Sequence, residues 1–281
     1  MKPKIIRTVE ALHHETDAWR EAGSSYAIVP TMGALHEGHL TLVEEGLKIA
    51  DEVVVSIFVN PKQFGANEDL SRYPRDEAGD VANLAAAGVK LIYAPGGDEI
   101  YGENFSTTVS MKGPAKANLE DKFRPQFFDG VATIVAKLFI QSGADFAMFG
   151  QKDYQQLRVV TQMAKDLDIP VEVIGVPTVR AEDGMALSSR NRYLSKVERN
   201  LATAIYKSLM QAAEKIRNGV DPQKAMRAAS RSLTTLGFKV DYVTVRNAET
   251  LAVPTSYKDE PLRLLAAAWL GKTRLIDNIE V

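Results

Sequence analysis

A chain of 281 residues, 45% hydrophobic and 25% charged, has room for one large globular domain or two of ordinary size. The absence of cysteine excludes disulfides, thiolate metal sites and a cysteine nucleophile. A net charge of −2 gives no case for nucleic-acid binding, no apolar run approaches the roughly 18–20 residues of a membrane span, and early charges disfavour a secretory signal, so the expected setting is cytoplasmic.

In chain order, "SSYAIVPT" (24–31) is a short apolar run ending at a proline, and "LTLVEEGLKIA" (40–50) has helical periodicity. "EVVVSIFVN" (52–60) is β-branched and apolar, as a buried strand requires. "DEAGDVANLAAAGV" predicts a helix with Gly88 near its end, and "KLIYAP" a strand after it. The stretch 130–143, "GVATIVAKLFIQSG", is apolar nearly all round and precedes the strand "DFAMFG" (145–150). The helix "YQQLRVVTQMAKDLD" and the strand "VEVIGVPTV" close the series. Alternating strands and helices, with strands apolar on both faces, predict an α/β fold with a doubly wound parallel sheet.

After residue 176 the rhythm changes. Two successive helices are expected over 196–218 and 221–236, then strands at "KVDYVTVRN", "LRLLAAAWL" and "TRLIDNIEV". The predicted organisation is therefore a domain over 1–176 and a smaller α+β domain over 177–281. Charge divides at the same place: 17 Lys+Arg against 25 Asp+Glu (net −8) before it, 17 against 11 (net +6) after it. The basic part could face a triphosphate or simply complement the acidic part. The polar stretches 60–75 and 102–128 are long enough for binding loops.

Two of only four histidines stand in "VPTMGALHEGH" (29–39), where a strand passes into a helix. Ligands of open parallel sheets gather at such carboxyl ends. Gly33 and Gly38 permit close backbone approach, and the helix N-terminus favours an anion. His36 and His39, three apart, share a helical face and can both donate to a phosphate. Zinc binding and simple packing or capping remain alternative readings of the pair. The spacing is one short of His-Glu-x-x-His, and no third ligand is evident. Asn60 and Gln63 in "SIFVNPKQF" fall at the next strand's tip, and Gly150, Lys152, Asp153 and Gln156 in "MFGQKDYQQL" at a third. "ALSSRN" adds serines and Arg190, completing a phosphate-handling set.

"PTMGALHEGH" resembles the HIGH-type signature of the nucleotidylyltransferase superfamily, and "LSSRN" its KMSKS-like partner. With "SIFVNPKQF", "SRYPR", "FGQKDYQQL" and "GMALSSRNRYLS", the chain resembles the pantoate–β-alanine ligase family over nearly its whole length. The resemblance implies condensation of (R)-pantoate with β-alanine through a pantoyl adenylate, using ATP with Mg²⁺ and releasing AMP and pyrophosphate. It also implies a Rossmann-like N-terminal domain, a C-terminal lid domain and a homodimer. By motif position, ATP would meet Met32, Gly33, Ala34, Leu35, His36, Glu37, Gly38 and His39, then Gly150, Gln151, Lys152 and Asp153, then Val179, Leu187, Ser188, Ser189 and Arg190. His39, His36, Lys152 and Arg190 would be the catalytic groups, and Gln63, Gln156, Asn60 and Tyr73 the substrate contacts. Metal ligands are not assigned, although Asp80 and Asp153 are candidates. One departure stands out: many relatives carry a histidine where "KFRPQFFDGV" has Phe127, which is left out of the expected site. Two rivals are weighed, an adenylyltransferase that stops at AMP transfer and a non-catalytic nucleotide- or RNA-binding module. The paired glutamines disfavour the first; the lack of a basic, aromatic-interleaved stripe disfavours RNA.

Overall fold

The computed structural model describes residues 2–65 and 70–281. Residues 66–69, within the polar stretch 60–75, lie outside the described residues. The chain divides into two compact units, Met1–Gly150 with Val159–Val176, and Gln151–Arg158 with Pro177–Val281.

The first unit is built on six strands: β1 (Lys4–Ile6), β2 (Tyr26–Thr31), β3 (Glu52–Ile57), β4 (Leu91–Tyr93), β5 (Phe146–Gly150) and β6 (Glu172–Val176). They form one sheet of order β1-β4-β3-β2-β5-β6, parallel throughout. Its helices are α1 (Val9–Glu21), α2 (Glu37–Ile49), α3 (Glu77–Ala86), the single turns α4 (Gly97–Ile100) and α5 (Glu120–Phe123), and α6 (Phe127–Ser142). Helix α7 (Tyr154–Asp166) starts in the second unit and ends in the first.

Strand side chains alternate, and both sets are buried. Ala27, Val29, Val53 and Val55 join Leu42, Val43 and Leu84 in one core, while the intervening Ile28 and Val54 are also fully buried. Two-sided burial is the signature of a parallel sheet covered by helices, here α2 against β2, β3 and β5, and α6 against β2 and α1. The order reverses between β2 and β5, whose pairing aligns Ala27 with Phe146 and Ile28 with Ala147. That is the topological switch point at which doubly wound sheets bind ligands.

Two close approaches position the loops here. Gly33 has φ +76, and a Cβ there would lie 3.0 Å from Asp80 Oδ2 and 3.2 Å from Ile57 Cγ2. At Gly130 a Cβ would collide with the Lys62 carbonyl, so α6 can press against the 61–63 turn only with glycine at that position.

In the second unit, α8 (Lys196–Ala202), α9 (Ala204–Arg217) and α10 (Pro222–Thr235) accompany β7 (Lys239–Asn247), β8 (Leu262–Leu270) and β9 (Thr273–Glu280). The strands form an antiparallel sheet of order β7-β8-β9. The expected helix over 196–218 is broken at Thr203, which caps α9. Leu264, Ala266, Ala268 and Leu270 face a core shared with Leu209, Ala213, Met226 and Leu233 of α9 and α10. The intervening Arg263, Leu265 and Ala267 are also buried. The two compact units differ from the expected division at 176/177 in segment Gln151–Arg158. Segment Gln151–Arg158 belongs with the second unit because Asn278 and Arg263 bond Gln151, and Tyr154 Oη donates to the Ala248 carbonyl at 2.9 Å. No helix among the described residues is long and apolar enough to cross a membrane.

Candidate active site

The first unit presents the histidine turn at the carboxyl end of β2. His36 caps α2, and its Nδ1 accepts the Gly38 N–H at 3.1 Å; His39 Nδ1 accepts the His36 N–H at 3.3 Å. This is a capping box built from two imidazoles, with ring centroids 4.1 Å apart. Both Nδ1 atoms act as acceptors, so each neutral ring carries its proton on Nε2. The capping alternative and the donor role are therefore compatible: one nitrogen serves the helix, the other is a donor.

The turn itself is held by a residue that the sequence offers only as a metal candidate. Asp80 on α3, only 3% exposed, accepts the Ala34 N–H at 2.9 Å and the Leu35 N–H at 2.7 Å. Ala34 adopts φ +53, a conformation costly for a side chain other than glycine. The carboxylate that satisfies these two amides over-determines that geometry. The Ala34, Leu35 and Gly38 N–H groups already have partners in the protein. Ala34 and Leu35 are also buried, so any nucleotide contact of theirs is limited to exposed backbone.

The second cluster follows β3. Asn60 is 1% exposed. Its Nδ2 donates to Gln63 Oε1 at 2.9 Å and to the Gly130 carbonyl at 3.1 Å; its Oδ1 accepts Tyr101 Oη at 2.8 Å and the Lys62 N–H at 3.3 Å. The Asn60 side chain is thus engaged by four protein groups. Because Gln63 Oε1 is an acceptor, its Nε2 is the group left to donate. Burial pushes the Tyr101 phenol up to about 12, against a smaller downward effect of its bond to Asn60, so it stays protonated and donating. Tyr73 is buried and packs edge-on against Phe64, with centroids 5.7 Å apart. Arg124 stacks on Phe127 at 3.7 Å and donates to the Gln63 carbonyl at 2.8 Å. Phe127 therefore lies against the support of Gln63. Sequence reasoning misses Tyr101, Arg124 and the part played by Asp80, for their partners are far off along the chain.

The second unit carries the remaining residues. Gln151–Asp153 form a single 3₁₀ turn directly after β5. Lys152 is largely buried, with Nζ 3.7 Å from Asp153 Oδ2. Gln156, part-exposed on the first turn of α7, makes no side-chain hydrogen bond to the described residues. Arg180 and Ala186 form an antiparallel bridge that brings Leu187 N 3.0 Å from the Val179 carbonyl. Ser188 caps the turn Ser189–Tyr193, accepting the Arg190 N–H at 3.3 Å. The Arg190 guanidinium has no carboxylate partner among the described residues.

No three acidic or histidine side chains among the described residues converge as a metal site. Both Asp80 oxygens are taken by backbone amides, and Asp153 is half exposed beside Lys152.

The sheet order, with a histidine-bearing turn at its switch point, defines a Rossmann-like α/β nucleotide-binding class. Comparison with known proteins narrows it. The model of the pantoate–β-alanine ligase family matches residues 4–280. Pantothenate synthetases of Bradyrhizobium sp. strain BTAi1 and Caulobacter vibrioides are each 53% identical to the chain, with 99% of both sequences covered. The crystal structure of pantothenate synthetase from Thermus thermophilus matches with TM-score 0.91 at 46% identity, covering 99% of each chain. The Francisella tularensis pantoate–β-alanine ligase, complexed with β,γ-ATP and β-alanine, matches with TM-score 0.83 at 31% identity over 99% of this chain and 97% of that one. The chain belongs to the pantoate–β-alanine ligase family and is an enzyme of the ligase class.

Proposed function

We propose that the chain forms pantothenate by activating pantoate as its adenylate. The pantoate carboxylate attacks the α-phosphorus of ATP and pyrophosphate leaves; the β-alanine amine then attacks the acyl carbon, loses a proton and expels AMP. A carboxylate does not condense with an amine at neutral pH without such a leaving group. The protein's part is positioning and charge stabilisation.

The observation that carries this reading is the fixed amide of Gln63. Asn60, locked by Tyr101 and the Gly130 carbonyl, holds Gln63 Oε1 and leaves Nε2 to donate. A neutral donor orients pantoate without the tight bidentate ion pair that an arginine would form, so the carboxylate stays nucleophilic. Gln156 is assigned the same duty. The Nε2–H groups of His36 and His39, with Lys152, Ser188, Ser189 and Arg190, are assigned to the phosphate oxygens as negative charge develops. For β-alanine attack, proximity suffices and no strong base is invoked. Magnesium would enter with ATP, on its phosphates, as part of the substrate; among the described residues no three acidic or histidine side chains gather to hold it.

The test is ATP turnover with and without pantoate, in wild type and Gln63→Arg. Consumption that requires pantoate, and a slowed adenylation step in the variant, are the expected results. ATP turnover indifferent to pantoate, or a variant adenylating as fast as wild type, would refute the proposal.

A further inference from the structure

The motif near the C-terminus, "RLIDN", has no part in the function so far, yet its last two residues are among the most buried polar groups of the second unit. Asp277 is 5% exposed and Asn278 2%. Each reaches a different segment assigned above to the nucleotide.

Asn278 Nδ2 donates to the Gln151 and Lys152 carbonyls, both at 2.9 Å, which satisfies the backbone of the turn that presents Lys152. Its Oδ1 accepts Arg263 Nε at 2.7 Å. Arg263, 8% exposed, also reaches Gln151 Oε1 at 3.3 Å and stacks on Tyr154 at 4.3 Å. Burial lowers the Arg263 pKa, opposed mainly by Tyr154, Glu280 and Asp277. Arg180 Nη1 and Nη2 grip both oxygens of Asp277 at 2.7 and 2.8 Å, and Nη2 also donates to the Asn278 carbonyl at 3.3 Å. The same Arg180 donates to the Gly184 carbonyl at 3.0 Å and starts the bridge to Ala186 that leads into Leu187–Arg190. Asn278 N–H closes the set on Asp277 Oδ1 at 2.7 Å.

We infer that Asp277 and Asn278 are positioning residues for the ligase reaction: adjacent residues on β9 that fix the Lys152 turn through one side chain and the Val179–Arg190 hairpin through the other. The inference rests on reading those two segments as nucleotide contacts. Both side chains are spent on protein partners. A bidentate arginine–carboxylate pair and a doubly donating amide resist small displacements, and a shift of about 1 Å in a charge-stabilising group costs on the order of 10²-fold in rate. The helix that carries the pantoate contact Gln156 has anchors besides Arg263, with Tyr154 donating to the Ala248 carbonyl at 2.9 Å and Arg158 to the Glu249 carbonyl at 2.8 Å. Loss of the β9 pair should therefore fall on the nucleotide.

The discriminating variant is Asn278→Asp. It keeps an oxygen for Arg263 and gives that buried cation a counter-charge, yet sets a carboxylate oxygen against two carbonyls. Compared with Asn278→Ala, it should be at least as stable to heat. Its dissociation constant for a β,γ-non-hydrolysable ATP analogue should nevertheless rise about 10-fold, with kcat down by up to about 10²-fold and KM for pantoate within about 2-fold of wild type. Asp277→Asn, which loses the bidentate pair and leaves Asn278 in place, should weaken the analogue by a smaller factor through the hairpin alone. If Asn278→Asp does not fold, Asp277→Asn carries the test under the same criteria. Analogue binding and kcat within about 2-fold of wild type, or pantoate affinity falling in step with nucleotide affinity, would overturn the inference. A wild-type chain that bound no analogue would overturn the nucleotide assignment beneath it as well, so the two failures are distinguishable.

Discussion

The two units secure their functional segments by opposite electrostatic means. In the first, a single buried carboxylate, Asp80, holds the histidine turn through backbone amides at 2.9 and 2.7 Å. In the second, arginines do the holding, Arg180 on Asp277 and Arg263 on Asn278. An anion at the root of the first turn occupies the Ala34 and Leu35 amides, so the proposed donation to phosphate would rest on the imidazole Nε2–H groups. In the second unit, the proposed phosphate contacts Lys152 and Arg190 lie on segments held by Asn278 and Arg180. On the proposed reading, the difference teaches that the first unit would offer neutral donors and the second charged ones.

That contrast is broken most severely at His39. His39→Ala should lower kcat by roughly 10²–10³-fold, as loss of one preorganised donor does, with a much smaller change in KM for ATP; steady-state kinetics checks it. Asp80→Asn comes next. The amide sets an N–H against a backbone N–H in a buried site, with an expected loss of about 1–3 kcal/mol in urea unfolding and a rate reduction of about 10²-fold. A variant destabilised but fully active would detach Asp80 from the site. Tyr101→Phe sharpens the account of Gln63. Asn60 loses one donor, and KM for pantoate should rise about 2- to 10-fold, the worth of one net hydrogen bond. Since Tyr101 titrates only near 12, that effect should be flat across neutral pH.

The smallest effect is expected at Glu260, which bonds neither Asp80 nor the Arg180–Asp277 pair and instead holds Asn247 and Thr255. Hydrogen bonds from Asn247, Thr255 and Ser256 hold the Glu260 carboxyl down at about 2, from 4.5. A depressed carboxylate contributes stability that is present above its unfolded pKa and disappears as pH falls through the folded one. Wild type should therefore lose this contribution between about pH 4.5 and 2. Glu260→Gln should lack that acid dependence in a pH series of thermal melts, with kcat unchanged.

Much of this is legible in the sequence because it is periodic. The β-branched run of β3 and the apolar stretch inside α6 declare their states within a few residues, and the strand ends place the motifs. What stays hidden has no local period. β1 has three residues, too few for alternation to register, and only Leu12 and Thr16 of α1 are buried. The Asp80 contact spans 46 residues, and Asn278 reaches back 127 to Gln151. An aspartate bound for backbone amides looks the same in sequence as one in water. Asn60 illustrates a subtler limit: its motif is visible in the sequence, but only the packing of Tyr101 and Gly130 around it reveals that it supports Gln63.

The central claim is activation through a pantoyl adenylate, and the fate of the carboxylate oxygen tests it most directly. With pantoate labelled by ¹⁸O in its carboxylate, together with ATP and β-alanine, attack at the α-phosphorus predicts one labelled oxygen in AMP and none in pyrophosphate. Label recovered in inorganic phosphate alongside ADP would contradict the account.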